Sequence, residues 1–188
     1  GKLTNNGAIS GTAVDDIMGA PWGYGIRVTY LEGELTNNGE ITGTGTKIGC
    51  GMYTDFDLTG SLTNNGVITS NVTGILLSDL DTSIYSNLTN TGIAYGKTNA
   101  IRIYDDAGTL KDLYNYGLLV VDKDGTIIKN SSKVEKMHNY GLAFKVESDG
   151  TYTLDDDYSG KFGQISPNAD VVIGYEKDAD GKFDFNKP

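Results

Sequence analysis

The sequence is poor in the residues that build disulfide-linked or metal-linked proteins, with one cysteine, one histidine, one tryptophan and three prolines. Because Cys50 is alone, no internal disulfide and no zinc site made of several cysteines can form. No apolar run approaches the eighteen or so residues of a membrane-spanning helix, and no charged-then-apolar signal segment opens the chain. We therefore expect no membrane span in these residues.

Positive charge is also scarce. The 188 residues carry 15 lysines and arginines against 25 aspartates and glutamates, which gives a formal net charge of -10. A field of this sign repels phosphate backbones and anionic lipid surfaces. We therefore expect no nucleic-acid partner.

Glycine and tyrosine are abundant, with 26 and 12 copies, and runs of Thr and Asn stand where a helical protein would carry Ala, Glu and Lys. Aromatic and β-branched residues favour strands, whereas Gly and Asn favour turns. The composition therefore predicts an all-β, turn-rich protein.

A seven-residue motif of the type Leu-x-Asn-x-Gly-x-Ile recurs along the chain. Its glycines lie at positions 7, 39, 66, 92, 117 and 141, with successive spacings of 32, 27, 26, 25 and 24 residues by subtraction. A second register recurs between the copies, at residues 25–28, 74–77, 100–103 and 125–128. Each period thus holds at least two short strands, with room for a third, and repeats of this length indicate a solenoid.

The residue types in the motif favour a solenoid of parallel coils. Alternation along a strand directs the motif Leu, Asn and Ile inward and the residues between them outward. Stacking like on like gives each buried amide identical partners in the coils above and below. The motif Gly lies where the bend needs either a positive φ or a missing side chain. Leucine-rich repeats do not fit, because no 3.6-residue periodicity is present, and the remaining alternative is a β-sandwich with Asn-Gly hairpins.

The repeat predicts about six to seven coils. Residues 165–171 look like a seventh copy with an extra residue and a proline inside it, and residues 171–173 have the pattern of a strand. We therefore expect one β-solenoid domain over 1–176 and a polar extension or cap over 177–188. The chain opens within a repeat, so we expect a segment of a longer protein.

The coil at residues 33–43, GELTNNGEITG, together with the strands GIRV at 25–28 and AIRIY at 100–104, resembles the RadD-like passenger domains of the very large fusobacterial autotransporter adhesins. The resemblance covers roughly residues 1–145. It implies a right-handed parallel β-helix and a bacterial cell-surface location, anchored through an outer-membrane barrel. It also implies adhesion to a protein or glycan of host cells or neighbouring bacteria. The family supplies no catalytic motif and no binding residue to carry over.

Few residues offer catalytic chemistry. His138 occupies the second motif position, where four other copies have Thr, so a stacked surface position is favoured over a catalytic role. Cys50 between two glycines is typical of a small packed residue. Arg27 and Arg102 have equivalent places in the repeat but lie several coils apart, and the carboxylates of 155–157 are typical of a solvated turn. We therefore predict no enzymatic activity.

An alternative in another class is a carbohydrate-active β-helix, either a polysaccharide lyase or a tailspike-like glycosidase. A carboxylate pair with a nearby basic group in one groove would support it.

Two acidic segments, 122–125 and 178–184, imitate the beginning of a calcium loop. Neither has the glutamate at the twelfth position of such a loop, and Asp-Gly is equally an ordinary turn. We expect no cofactor and no metal, with calcium as the alternative.

The candidate binding residues lie where the repeat changes. Reading down the coils, the second motif position changes from Thr to Tyr114 and His138, and the fourth from Asn or Thr to Tyr116 and Tyr140. Aromatic side chains with polar tips are common in binding sites, although they also stabilise a ladder or lie beneath a loop. Trp22 falls in the long insertion of the first coil, where we expect a loop that either contacts a ligand or folds back as a plug. We expect the segment to act as a spacer or contact surface in adhesion, as a monomer.

Overall fold

A computed structural model describes residues 1–13, 22–29, 32–54, 60–78, 87–104 and 108–155. Their regular secondary structure consists of strands joined by short turns, with one 3-10 helix at Ser131–Lys133. In chain order the strands are β1 Lys2–Asn5, β2 Ala8–Ala13, β3 Trp22–Val28, β4 Glu34–Asn37, β5 Glu40–Gly45, β6 Ile48–Thr54, β7 Ser61–Asn64, β8 Val67–Ser70, β9 Thr73–Leu77, β10 Asn87–Asn90, β11 Ile93–Gly96, β12 Asn99–Ile103, β13 Leu110–Asn115, β14 Leu118–Asp122, β15 Thr126–Lys129, β16 Val134–Asn139, β17 Leu142–Val146 and β18 Tyr152–Leu154.

Every third strand pairs in parallel, which confirms the predicted β-solenoid. The first sheet has the order β1-β4-β7-β10-β13-β16, the second β2-β5-β8-β11-β14-β17-β18, and the third β3-β6-β9-β12-β15. Only the β17–β18 pair is antiparallel among the described strands. The described residues hold five coils with three strands each and a sixth with two parallel strands, slightly fewer than the six to seven coils predicted. The hand of the solenoid stays a prediction.

The interior is filled by columns of aliphatic side chains, one from each sheet. Leu35, Leu62, Leu88 and Leu113 form the first column and are 0 to 1% exposed. Ile41 and Ile68 belong to the second sheet, and Met52, Ile75, Ile101 and Ile128 to the third. Burial of such a side chain stabilises the fold by roughly 1.5–3 kcal/mol. The predicted inward direction of Leu and Ile is confirmed.

The motif asparagines form the predicted buried ladder. The Nδ2 of each motif Asn donates to the Oδ1 of the motif Asn in the next coil, at 2.8–2.9 Å. The six residues in order are Asn5, Asn37, Asn64, Asn90, Asn115 and Asn139. All six side chains are buried. Hydrogen bonding of this kind removes most of the cost of placing an amide in an apolar interior.

The motif glycines are required because the coils approach each other closely. A Cβ on Gly66 would lie 2.0 Å from the carbonyl oxygen of Gly39, and a Cβ on Gly117 would lie 2.1 Å from that of Gly92. None of the motif glycines has a positive φ. Of the two reasons that the sequence left open, the missing side chain is therefore the correct one.

Two predictions of detail are wrong. Ile128 pairs with Ile101, so Ile127 rather than Gly125 aligns with Ala100. The strand at this position is thus shifted by two residues, because Asp122–Gly125 is taken up by a turn. Asp155 is 8% exposed and its carboxylate lies 3.2 Å from the ammonium of Lys145, so it is not a solvated turn residue. The predicted seventh coil at 165–171 and the predicted extension at 177–188 lie outside the described residues.

Candidate functional site

The outer face of the first sheet changes character along the solenoid axis. Its central column pairs Thr4, Thr36, Thr63 and Thr89 in register, and then continues as Tyr114 and His138. A second outer column lies at the turn that ends each strand. There Asn38 Nδ2 donates to Asn6 Oδ1 at 2.8 Å, Asn65 Nδ2 to Asn38 Oδ1 at 2.9 Å, and Thr91 Oγ1 to Asn65 Oδ1 at 2.8 Å. The Thr column is therefore a regular stack, and the Asn column is a hydrogen-bonded ladder, through the first four coils.

Tyr114, Tyr116, His138 and Tyr140 come together as a two-by-two aromatic array. Tyr114 stacks on His138 with ring centroids 4.4 Å apart, and Tyr116 stacks on Tyr140 at 5.2 Å. Across the array, the Tyr114 and Tyr116 rings are parallel at 6.3 Å. The two vertical separations are close to the roughly 4.8 Å between paired strands. The predicted clustering of these four residues is confirmed.

Hydrogen bonds between coils hold the backbone of the array, and its side chains are partly exposed to solvent. The backbone nitrogens of Tyr116 and Tyr140 donate to the carbonyl oxygens of Asn90 and Asn115 at 2.8 and 2.7 Å. The Tyr140 side chain is 42% exposed, and the other three are half-buried. Backbone-anchored aromatic rings offer a large contact area and lose little conformational entropy on binding.

A carboxylate lies at one edge of the array. The Nε2 of His138 is 3.3 Å from Oδ1 of Asp112. Asp112 is adjacent in register to Lys136 of the next coil. The array thus combines flat apolar ring surfaces with hydrogen-bond donors and acceptors. This combination is typical of contact surfaces for proteins and glycans.

Trp22 does not lie on a loop. It opens β3, pairs in register with Ile48, and is 39% exposed, so it is not a buried plug either. Its ring lies 6.0 Å from that of Tyr24. The rest of the insertion, residues 14–21, lies outside the described residues. Since Trp22 belongs to the first coil and the array to the fifth and sixth, the structure does not bring these candidates into one site.

Two arginines stand in the same outer column of the third sheet, three coils apart. Arg27 pairs with Tyr53, Tyr53 with Leu76, and Leu76 with Arg102. The Arg27 guanidinium lies 5.6 Å from the centroids of both the Tyr24 and Tyr53 rings, which is a cation–π arrangement. The prediction that the arginines occupy equivalent but distant positions is confirmed.

Cys50 is fully buried, and burial raises the pKa of its thiol to about 12, although the charge of Arg102 opposes this shift. The prediction of a packed rather than reactive cysteine fits this environment.

Within the described ranges, no group of three or more His, Cys, Asp or Glu side chains is placed to hold a metal ion. In the same part of the chain, no helix is long and apolar enough to cross a membrane.

The sequence interpretation missed a second apolar cluster, on the outside of the second sheet. Leu118, Val120, Leu142 and Phe144 are 1 to 7% exposed and lie outside the main core. The signal was present in the sequence, in the first position after each motif Gly. This position runs Ala8, Glu40, Val67, Ile93, Leu118, Leu142 and is a large aliphatic residue from the third coil onward. A cleft of about 540 Å³ lies beside this cluster, at the corner between the second and third sheets.

Comparisons of the chain with family models, with curated proteins and with solved structures found no match.

Proposed function

We propose that this chain is a segment of a bacterial cell-surface autotransporter passenger, and that it acts in adhesion. The first four coils serve as a rigid spacer, and the last two present a contact surface to a protein or glycan of a host or bacterial cell. The proposal places the chain outside the cell, and the resemblance of its coils to large autotransporter adhesins supports that location. The single observation that carries the contact role is the aromatic array.

The array is not needed to continue the solenoid. Thr and Asn columns maintain the same strand register through the first four coils, and the Asn column has its own ladder of hydrogen bonds. Replacing them with Tyr114, Tyr116, His138 and Tyr140 leaves partly exposed aromatic rings on the outer face. Large exposed aromatic groups in a cluster are typical of residues that supply most of the binding energy in an interface.

The spacer role follows from the repetition itself. Each coil contacts mainly its neighbours, so stability is close to a sum of coil and interface terms and a long rigid rod forms without a large globular core. The buried Asn ladder runs in register through the six described coils, and the Leu column runs through the first five and continues as Met137 in the sixth. Such a rod holds an outer face at a fixed distance and orientation.

The test uses the full chain coupled to fluorescent beads, incubated with host epithelial cells and, separately, with bacterial cells. In an array-deleted variant, Tyr114→Thr, Tyr116→Asn, His138→Thr and Tyr140→Asn restore the polar columns. We expect bead retention to fall by about tenfold or more, as expected for loss of binding hot spots, while the unfolding midpoint changes little. A control with Thr36→Ser and Asn38→Thr alters the same face in the second coil and keeps full retention.

Equal retention of the parent and the array-deleted variant would remove the array as the contact surface. No retention of the parent chain on either kind of cell would contradict the contact role altogether.

A carbohydrate-active enzyme is the second candidate, and one observation favours it. The cleft between the second and third sheets brings the carboxylates of Asp122, Asp124 and Glu147 close to the lysines Lys97 and Lys123. This is a carboxylate set with basic groups in one groove. Release of reducing ends or unsaturated products from a polysaccharide by the purified chain would establish the enzyme, and its absence from a panel of neutral and anionic polysaccharides would favour binding alone.

A further inference from the structure

The cleft is formed by the same corner of three successive coils. It is lined by the turn residues Lys97 and Thr98, by the turn Asp122–Gly125, and by Glu147 and Ser148 after β17. Backbone hydrogen bonds join these corners: Asp122 N donates to Lys97 O at 3.1 Å and Lys123 N to Val146 O at 2.9 Å. A cavity of about 540 Å³ is within the range of roughly 300–1,000 Å³ that is usual for small-molecule sites.

The polar end of the cleft presents groups that are already oriented. The Tyr95 hydroxyl donates to Oδ1 of Asp122 at 2.6 Å. This bond holds one oxygen of the carboxylate, and Asp122 also lines the cleft. Burial and the neighbouring Asp122 raise the pKa of the Tyr95 hydroxyl, so it remains a donor. Lys123 pairs with Glu147 at 3.3 Å, whereas Lys97 and Asp124 have no side-chain partner in the described part of the chain.

An apolar groove of about 320 Å³ continues from this polar end and shares Val146 with it. It is lined by Ile93, Tyr95, Leu118, Val120, Val146 and Tyr152. Tyr152 is 39% exposed, and its ring meets Phe144 edge to face with centroids 6.5 Å apart. The antiparallel strand β18 thus brings a second tyrosine to the groove, which Tyr95 also lines. Two tyrosines at an apolar groove, beside fixed carboxylates and a lysine, form one continuous amphipathic site.

We infer that this site, which is separate from the aromatic array, binds a neutral oligosaccharide. The apolar faces of sugar rings pack on tyrosine, and their hydroxyls hydrogen-bond to carboxylates, lysines and turn backbone. A purely apolar ligand would leave Asp124 and Lys97 desolvated without partners, which is costly. The lining carries two lysines and three carboxylates, a net charge of -1 by subtraction, within a chain of net charge -10. Both values disfavour a polyanionic ligand.

The test is binding of the full labelled chain to an array that carries neutral, sialylated and sulfated oligosaccharides and a set of peptides, followed by titration of the best-retained compound. We expect retention on neutral glycans, and a drop of about tenfold or more in affinity for Asp124→Asn, Lys97→Gln and Tyr152→Leu. Asp124 and Lys97 are exposed turn residues, so these two variants fold even if a change in β18 is disruptive. Tyr95→Phe keeps the ring, removes the bond to Asp122, and weakens binding less than Tyr152→Leu.

Lys2→Gln, at the far end of the solenoid and outside both the cleft and the aromatic array, serves as the control and keeps full glycan binding. The inference is overturned if the chain is retained on no glycan, only on charged glycans, or only on peptides, and also if Asp124→Asn and Lys97→Gln both leave the affinity unchanged. Because the cell-binding test depends on the array and this one on the cleft, either proposal can fail while the other stands.

Discussion

The Nδ2 of Asn64 donates to the Oδ1 of Asn90 at 2.8 Å, and both side chains are 0% exposed. Asn64 in turn accepts from Asn37 at 2.8 Å and also donates to the carbonyl oxygen of Ile93 at 3.0 Å. Each amide is thus held from both sides, and the donors all point toward the C-terminal coils. Within the described residues the ladder ends at Asn139, whose buried Nδ2 has no hydrogen-bond partner there.

We predict that Asn64→Ala lowers the free energy of unfolding by about 3 kcal/mol, because the buried Asn37 Nδ2 and Asn90 Oδ1 each lose their ladder bond to Asn64. Asn65→Ala is the matched control, since the neighbouring Asn65 makes ladder bonds of 2.9 and 2.8 Å on the exposed face. There water replaces the lost bonds, and we expect a change below about 1 kcal/mol. Urea unfolding followed by circular dichroism measures both values, and equal losses would contradict a structural role for the buried ladder.

The motif glycine offers a second matched pair. Gly66→Ala places a Cβ 2.0 Å from the carbonyl oxygen of Gly39, whereas a Cβ on Gly7 of the first coil meets nothing within 4 Å. We predict that Gly66→Ala destabilises the chain by several kcal/mol, about the size of other severe steric changes, and that Gly7→Ala is nearly neutral. Thermal unfolding of the two variants checks this. If both behave alike, conformational freedom rather than coil spacing explains the glycine.

Much of this architecture could be predicted because each interior column repeats one residue type. The Asn and Gly columns need only the assumption that like stacks on like, and the change to Tyr114 and Tyr116 is visible in the same columns. The cleft was not predictable in this way. It depends on the turn at Asp122–Gly125, which shifts the strand register by two residues, and on β18, which reverses direction outside the repeat. Trp22 was misplaced because an insertion hides where the next strand begins.

Cys50 gives a prediction about pH. Burial raises its pKa from 9.0 to about 12, so the folded chain keeps the thiol proton at a pH where the unfolded chain has lost it. The unfolded state then binds fewer protons, and stability falls as pH rises from about 9 toward 12. Cys50→Ala should reduce this slope. Unfolding midpoints between pH 8 and 11 test it, and an identical slope in the variant would assign the effect to other groups.

The same burial predicts slow chemical modification. We expect Cys50 to resist thiol reagents at pH 8 in the native chain and to react at once in guanidinium chloride, because only the exposed thiolate is a good nucleophile. Labelling followed by mass spectrometry gives both rates. Rapid labelling of the native chain would contradict the packed position of this side chain against Tyr53 and Leu76.

The central functional claim is that the aromatic array itself makes the contact, and moving it tests this most directly. In the array-deleted background, Thr63→Tyr, Asn65→Tyr, Thr89→His and Thr91→Tyr rebuild the array two coils nearer the N-terminus, at positions in the same two outer columns. Bead retention on cells is the measurement. Recovery of most of the parent's retention is the predicted result, whereas retention that stays at the array-deleted level, in a chain that still folds, would contradict the claim.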